Sequence, residues 1–324
     1  MLDAGRGADV DWPQQSAGRF GGSVRFGIAA RFVALAVVWG GSFLFIKVGL
    51  EGLSPAQVAL ARVALGALTL GAFLALRRRS LPRDPALWAH LAVVSLLFCV
   101  GPFLLFSWAE QYVASGLASI FNATTPLLTM LFAAAALPAE RLTRPKTIGL
   151  LIGFAGVLTL VGVWRGIDLS HEVLAQLACL GATTCYGLAF VYLRKFVSPR
   201  DPDPVVVAFG QTGFATVVLL AAAPAIAAQP VHLNPAVVLS LLALGVLGTG
   251  VAYAWNAAIA AAWGAANASA VTYLTPVVGV LLGVLVLDEP VHWNEPVGAL
   301  LVVLGILASH GRLSRARQPV LERV

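Results

Sequence analysis

Ten stretches of this chain, at about residues 30–50, 55–76, 87–109, 115–137, 146–164, 173–193, 204–226, 236–258, 265–287 and 294–309, are apolar over the length of a membrane-spanning helix. Hydrocarbon offers no water to a backbone N–H or C=O, so only helices and closed barrels cross it. About 20 apolar residues suffice for a helix. Barrel strands would alternate apolar and polar residues. These runs do not alternate, so they predict an all-α polytopic membrane protein with ten transmembrane helices. Composition fits that solvent: 59% of the residues are hydrophobic and 11% are charged, whereas a soluble domain is about a quarter charged.

The basic residues orient the chain. Of the 21 Lys and Arg, all but Lys47, Arg62 and Arg165 fall on the N-terminal segment, the C-terminal segment, or the loops after the second, fourth and sixth runs. Cytoplasmic loops carry the excess of Lys and Arg. Both termini are therefore expected in the cytoplasm, in a multi-pass protein of the plasma (inner) membrane. The first run starts too far from Met1, and is too long, for a cleaved signal peptide, and reads as an anchor that stays.

The chain also repeats itself. "WGGSFLFIK" (39–47) matches "YGLAFVYLR" (186–194), and Pro55 with Arg62 matches Pro204 with Gln211. "ASIFNATTP" (118–126) matches "ASAVTYLTP" (268–276), and Glu140, Gly149 and Gly156 match Glu289, Gly298 and Gly305. The offset stays between 147 and 150 residues. Each unit holds five helices, an odd number, so the second enters the membrane from the opposite side. Such inverted repeats are the mark of alternating-access carriers. The expected organisation is a flexible cytoplasmic tail (1–28), a first repeat (29–164), a second repeat (173–310) and a cytoplasmic C-terminal tail (311–324).

With these residues the chain resembles the EamA-type transporters of the drug/metabolite transporter superfamily. The resemblance is carried by "WGGSFLFIK", by the arginine of "LARVALGAL", and by "ASIFNATTPLLTMLFAAAALPAERLT". "GFAGVLTLVG" and the echo "ASAVTYLTPVVGVLLGVLVLDEPV" complete it, over about residues 30–309. It implies a ten-helix carrier with a central cavity that moves small metabolites, in many members exporting amino acids or drugs.

Two Thr-Pro pairs sit at matching depths of the fourth and ninth runs. Pro126 and Pro276 each remove a backbone donor and disturb the preceding turn, so the kinks should face protein or a wet cavity. They are the expected gating elements. Polar and aromatic groups at that depth are the candidate substrate-binding residues: Trp39, Ser42, Arg62, Asn122, Thr125, Tyr186, Gln211, Tyr253, Trp255, Asn256, Tyr273 and Thr275. Thr183 and Thr184 lie nearby. An aromatic body with a polar tip suits an amphipathic solute.

Two charges are embedded in apolar runs. Lys47 lies roughly 5 Å from the outer end of the first helix and can either snorkel to the headgroups or serve a solute. Arg62 lies roughly 10 Å below the outer face of the second helix, where a lipid-facing guanidinium is expensive. It should point inward, towards Glu110, towards carbonyls of the fourth helix, or towards the carboxylate or phosphate of a solute. No Asp or Glu lies at the bilayer midplane. Weak or absent proton coupling is expected; any coupling would have to use Glu110 or a less obvious group. Positive internal charge favours neutral, zwitterionic or anionic solutes over lipophilic cations.

Cys99, Cys179 and Cys185 lie inside apolar runs without CxxC spacing, which argues against a disulfide framework or metal site; no cofactor is implied. "GLLIG" (149–153) and "GVLLG" (279–283) allow close helix approach, within the bundle or in a homodimer. No catalytic constellation appears, so the chain is not expected to be an enzyme. The expected partners are a small-molecule substrate and the lipid bilayer, not nucleic acid. The leading reading is a secondary carrier exporting small metabolites such as amino acids or their derivatives. The alternatives are a carrier of anionic solutes, phosphorylated sugars or nucleotide-linked compounds, and a non-transporting membrane scaffold.

Overall fold

The computed structural model describes residues 22–162, 164, 170–263 and 268–309, and every regular element among them is helical. Of the two tails, residues 1–21 and 310–324 lie outside the described residues, as does Arg165. The spans are α1 (Gly22–Gly49), α2 (Pro55–Leu76), α3 (Pro85–Ala109), α4a (Ser115–Asn122) with α4b (Thr125–Ala136), and α5 (Arg144–Val161). They continue as α6 (His171–Tyr192), α7 (Pro204–Ile226), α8 (Pro235–Ala260), α9 (Thr275–Leu287) and α10 (Asn294–Ser309). Eight of these helical spans are long and apolar enough to cross a membrane; the ninth and tenth are shorter apolar helices. α1 begins at Gly22, inside the stretch expected to be tail, because nothing between Gly22 and the apolar run breaks a helix.

Helix starts are written locally. Ser54, Asp84, Asp203 and Asn234 cap α2, α3, α7 and α8 through their side chains, each followed by Pro in the first turn. Such a cap satisfies an orphan N–H, contributing about 1 kcal/mol, and Pro there forfeits no hydrogen bond. α4a differs: Ala114 precedes it and offers no side-chain acceptor. Its cap comes from elsewhere in the chain.

The two Thr-Pro sites are breaks rather than kinks. Ala123 and Thr124 close tight turns onto Ile120 and Phe121, and Pro126 opens the second half-helix, α4b, within its first turn. In the ninth span a 3₁₀ turn (Ser269–Tyr273) precedes α9, and Pro276 again stands in the first turn. Helix-breaking thus falls at the same depth in both halves. The third helix of each half is also irregular: π-turns occupy Leu96–Val100 in α3 and Ala243–Val251 in α8. Pro102, just after the first of these, lacks a donor N–H; the second contains Gly245, Gly248 and Gly250.

Close packing uses the glycines. On α5, a Cβ at Gly149 would strike the Gly305 carbonyl oxygen, and one at Gly156 would lie 2.8 Å from the Gly298 carbonyl oxygen. α5 and α10 therefore meet backbone to backbone. On α9, Gly279 faces Ser119 and Gly283 faces Glu289 and Ser115. Both GxxxG patterns are spent inside the bundle.

The loops after α2, α4b and α6 bring Arg77, Arg78, Arg79, Arg83, Arg141, Arg194, Lys195 and Arg200 to one end, the basic end. Ion pairs tie these loops together: Arg79 with Asp203 at 3.6 Å, Arg200 with Asp84 at 3.3 Å, and Lys146 with Glu140 at 3.0 Å, while Arg194 also binds Glu140. The opposite end is closed differently. Glu289, after α9, accepts hydrogen bonds from Ser115 N and Oγ, both 2.8 Å, and from Gly116 N at 3.1 Å. That is the missing cap of α4a, an anion set on a helix N-terminus. Asp288, in the left-handed region at φ 53°, ends α9 and turns Glu289 back towards it, a conformation Asp tolerates better than most residues.

Candidate functional site

Near mid-depth, helices from both halves set aromatic rings around one cation. The Arg62 guanidinium on α2 lies 4.0 Å over the Phe103 ring, and its Nε donates to Thr249 Oγ1 at 3.3 Å. Thr249 sits in the α8 π-turn and donates in turn to the Leu244 carbonyl at 3.1 Å. Trp39 Nε1 on α1 donates to the Gly248 carbonyl, 3.1 Å away in the same turn. The irregular helix thus presents a hydroxyl and a carbonyl that a regular one would keep to itself.

The rings connect in sequence. Trp39 meets Tyr253 edge-on at 6.4 Å, Tyr253 meets Phe98 at 6.5 Å, and Phe98 meets Tyr186 at 5.2 Å. Tyr186 meets Phe106 at 6.3 Å, which meets Phe43 at 5.5 Å. Arg62 lies within electrostatic reach of the Tyr186 and Tyr253 side chains. A cation over an aromatic face gains about 0.5–2 kcal/mol, which holds the guanidinium in place without neutralising it.

The expected bridge from Arg62 to Glu110 is not formed, nor does Arg62 engage carbonyls of the fourth span. Among the described residues no carboxylate lies within 4.0 Å of Arg62; the ion pairs all lie at helix ends and loops. Lys47 does not snorkel. Its Nζ donates to the main-chain carbonyls of Glu110 and Val113, at 2.5 and 2.9 Å, closing the C-terminal end of α3.

The structure brings Trp39, Arg62, Tyr186 and Tyr253 together. Ser42 is buried beside them, its hydroxyl donating to the Val38 carbonyl. Gln211 and Thr125 are buried, and Gln211 Oε1 and Thr125 Oγ1 have no hydrogen-bond partner. Thr275 bonds back to the Thr272 carbonyl at 2.9 Å, and Thr124 reaches Thr183 at 3.3 Å. Asn122 is half-buried at the end of α4a, and Tyr273 is half-buried against the core formed by α3, α4a and α6. Trp255 and Asn256 are half-buried on α8, and no described ring contact joins them to the cluster. Sequence reasoning missed Phe98, Phe103, Phe106 and Thr249. The signal was the aromatic run "FCVGPFLLF" interrupted by Gly-Pro.

A pocket of about 420 Å³ lies apart from this cluster, at the basic end, lined in part by Arg79, Asp84, Arg200 and Asp203. Four of its charges pair with one another, Arg79 with Asp203 and Arg200 with Asp84, and Asp201 lines it as well.

Comparisons with known proteins agree with this architecture. The EamA-like transporter family matches residues 27–162 and again 173–309. The chain is 26% identical to the uncharacterized transporter YoaV of Bacillus subtilis (strain 168), over 88% of this chain and 97% of that one. It is 27% identical to the uncharacterized inner membrane transporter YhbE of Escherichia coli (strain K12), over 85% and 88%. A solved crystal structure shares the fold with a TM-score of 0.61 at 21% identity, covering 90% of this chain and 99% of that chain. With ten apolar helical spans, a doubled family match and relatives that are membrane transporters, the protein is a multi-pass membrane transporter and belongs to the EamA-like transporter family.

Proposed function

We propose that this transporter is an inner-membrane secondary carrier, with both termini cytoplasmic, that exports small metabolites such as amino acids or their derivatives by alternating access. The observation that carries the reading is Arg62: a guanidinium at depth, held by Thr249 and Phe103, with no carboxylate within 4.0 Å among the described residues. In low dielectric such a charge is costly unless something neutralises it. A solute carboxylate arriving among the Trp39, Tyr186 and Tyr253 rings would do so, its apolar part lying on the rings. Two halves of five spans each, with helix breaks at Pro126 and Pro276, suit rocking about that site.

A carrier of anionic solutes ranks second, because Arg62 is one cation and a polyanion would need several. The test is to compare metabolites inside and outside cells with and without the gene. Uptake of any affected solute into proteoliposomes by wild type and by Arg62→Gln follows. A carboxylate-bearing solute whose uptake falls in the variant is expected. No solute difference, or equal uptake by both proteins, would overturn the assignment.

A further inference from the structure

We infer that Glu110 is a proton-binding site of the carrier: its carboxyl holds a proton while its end of the bundle is closed, and releases it to water when that end opens. Glu110 follows the last residue of α3 and was expected as a possible partner of Arg62. It is fully buried, at 0% exposure. Neither carboxylate oxygen has a hydrogen-bond partner, and among the described residues no Lys, Arg or His nitrogen lies within 4.0 Å of them.

Each charged group around it is engaged elsewhere. On α1, Lys47 spends its ammonium on the Glu110 and Val113 main-chain carbonyls. On α2, Arg62 is held by Thr249 and Phe103. Beyond α9, Glu289 caps α4a. On α6, the Cys179 thiol is buried, and Glu172 accepts from Gln176 Nε2 at 3.4 Å. An ionised carboxylate left unpaired there would lose its hydration with nothing to replace it. Burial accordingly pushes the Glu110 carboxyl well above its usual range, with Lys47 opposing and Glu289 reinforcing the shift. The buried side-chain atoms without partners at this end, Glu110 Oε1 and Oε2 and Gln176 Oε1, are all acceptors.

Two contacts hold this end together. Phe43 on α1 packs edge-on against Phe106 on α3 at 5.5 Å, and Glu289 ties the end of α9 to Ser115. Water reaches Glu110 only when α1 and α9 part from α3 and α4a. The carboxyl O–H bond then breaks, the proton passes to water, and the carboxylate is left beside the Lys47 ammonium. Opening at this end and proton release are thereby one event, which would couple solute movement to a pH gradient. The midplane needs no carboxylate for that.

The coupling rests on the carrier reading; the protonation does not, and the two are tested separately. Infrared spectra of the purified full-length protein in lipid at neutral pH should show the C=O stretch of a protonated carboxylic acid without a hydrogen bond. That band should vanish in Glu110→Gln and remain in Glu289→Gln and Glu140→Gln. Its absence from wild type, or its survival in Glu110→Gln, overturns the proposal. Should Glu110→Gln fail to fold, the wild-type band still decides. In proteoliposomes with the solute found by metabolite comparison, an imposed pH gradient should drive accumulation by wild type. Glu110→Gln should lose that accumulation while retaining solute–solute exchange. Wild-type transport indifferent to the gradient overturns the coupling. No transport by wild type overturns the carrier reading and leaves the infrared result to judge Glu110.

Discussion

Glu289 takes both the main-chain N–H and the hydroxyl of Ser115, each at 2.8 Å, and so joins the end of α9 to the first turn of α4a across the two halves of the chain. Its repeat counterpart, Glu140, does unlike work, held by Lys146 and Arg194 at the basic end. Matched positions thus close one end through a helix N-terminus and brace the other through ion pairs.

Removing the first of these ties should be costly. Hydrogen bonds to a charged group contribute about 1.5–3 kcal/mol, and Ala114 offers α4a no substitute cap. Glu289→Ala should therefore lower stability by about 2 kcal/mol, and Glu289→Gln, which keeps one acceptor, by less. Thermal unfolding in detergent reads both; melting equal to wild type would show that the tie is not stabilising.

Charge and ring geometry at Arg62 can be separated. Arg62→Lys keeps the charge but loses the flat face on Phe103 and the Nε donor to Thr249. Arg62→Gln loses the charge as well. Solute uptake should fall in the order wild type, Lys, Gln, with membrane-inserted protein unchanged in amount. Equal uptake by the Lys and Gln variants would show that charge is not what the site supplies.

The clasp on Glu140 gives the basic end a pH dependence. The hydrogen bond from Lys146 holds the Glu140 carboxyl below its ordinary 4.5. A depressed carboxyl stabilises the fold above the unfolded-state value and loses that contribution as pH falls through the lower folded value. Wild type should therefore melt above Glu140→Gln at neutral pH, with the gap closing only below about pH 4.5. A gap independent of pH would assign the effect to packing.

Two glycines should part company. At Gly156 a Cβ would lie 2.8 Å from both the Gly298 carbonyl oxygen and Val302 N, backbone atoms that cannot step aside. Gly156→Ala should cost about 1–3 kcal/mol by overpacking. At Gly213, inside α7, nothing lies within 4 Å of a Cβ, so Gly213→Ala should be neutral or stabilising. Detergent melting curves distinguish them, and equal shifts would contradict the close approach of α5 and α10.

The number of spans and the doubled five-helix pattern were legible in the chain itself, and the helix starts at Ser54-Pro55, Asp84-Pro85, Asp203-Pro204 and Asn234-Pro235, which the structure pointed out, are written there too. Each depends on neighbours in sequence: an apolar run long enough for lipid, a capping side chain, a proline in the first turn. Tertiary structure alone decided which partners the buried polar groups took. It sent Arg62 to Thr249 and Phe103, turned Lys47 onto the main-chain carbonyls of Glu110 and Val113, and left the Glu110 carboxyl oxygens without a hydrogen bond. It also made two Thr-Pro sites into breaks and opened the α8 π-turn on which Trp39 and Arg62 dock. A helix that is apolar all round carries no record of which face meets which neighbour. That rotation is chosen by backbone contacts such as Gly149 against Gly305, and the rotation selects the partners.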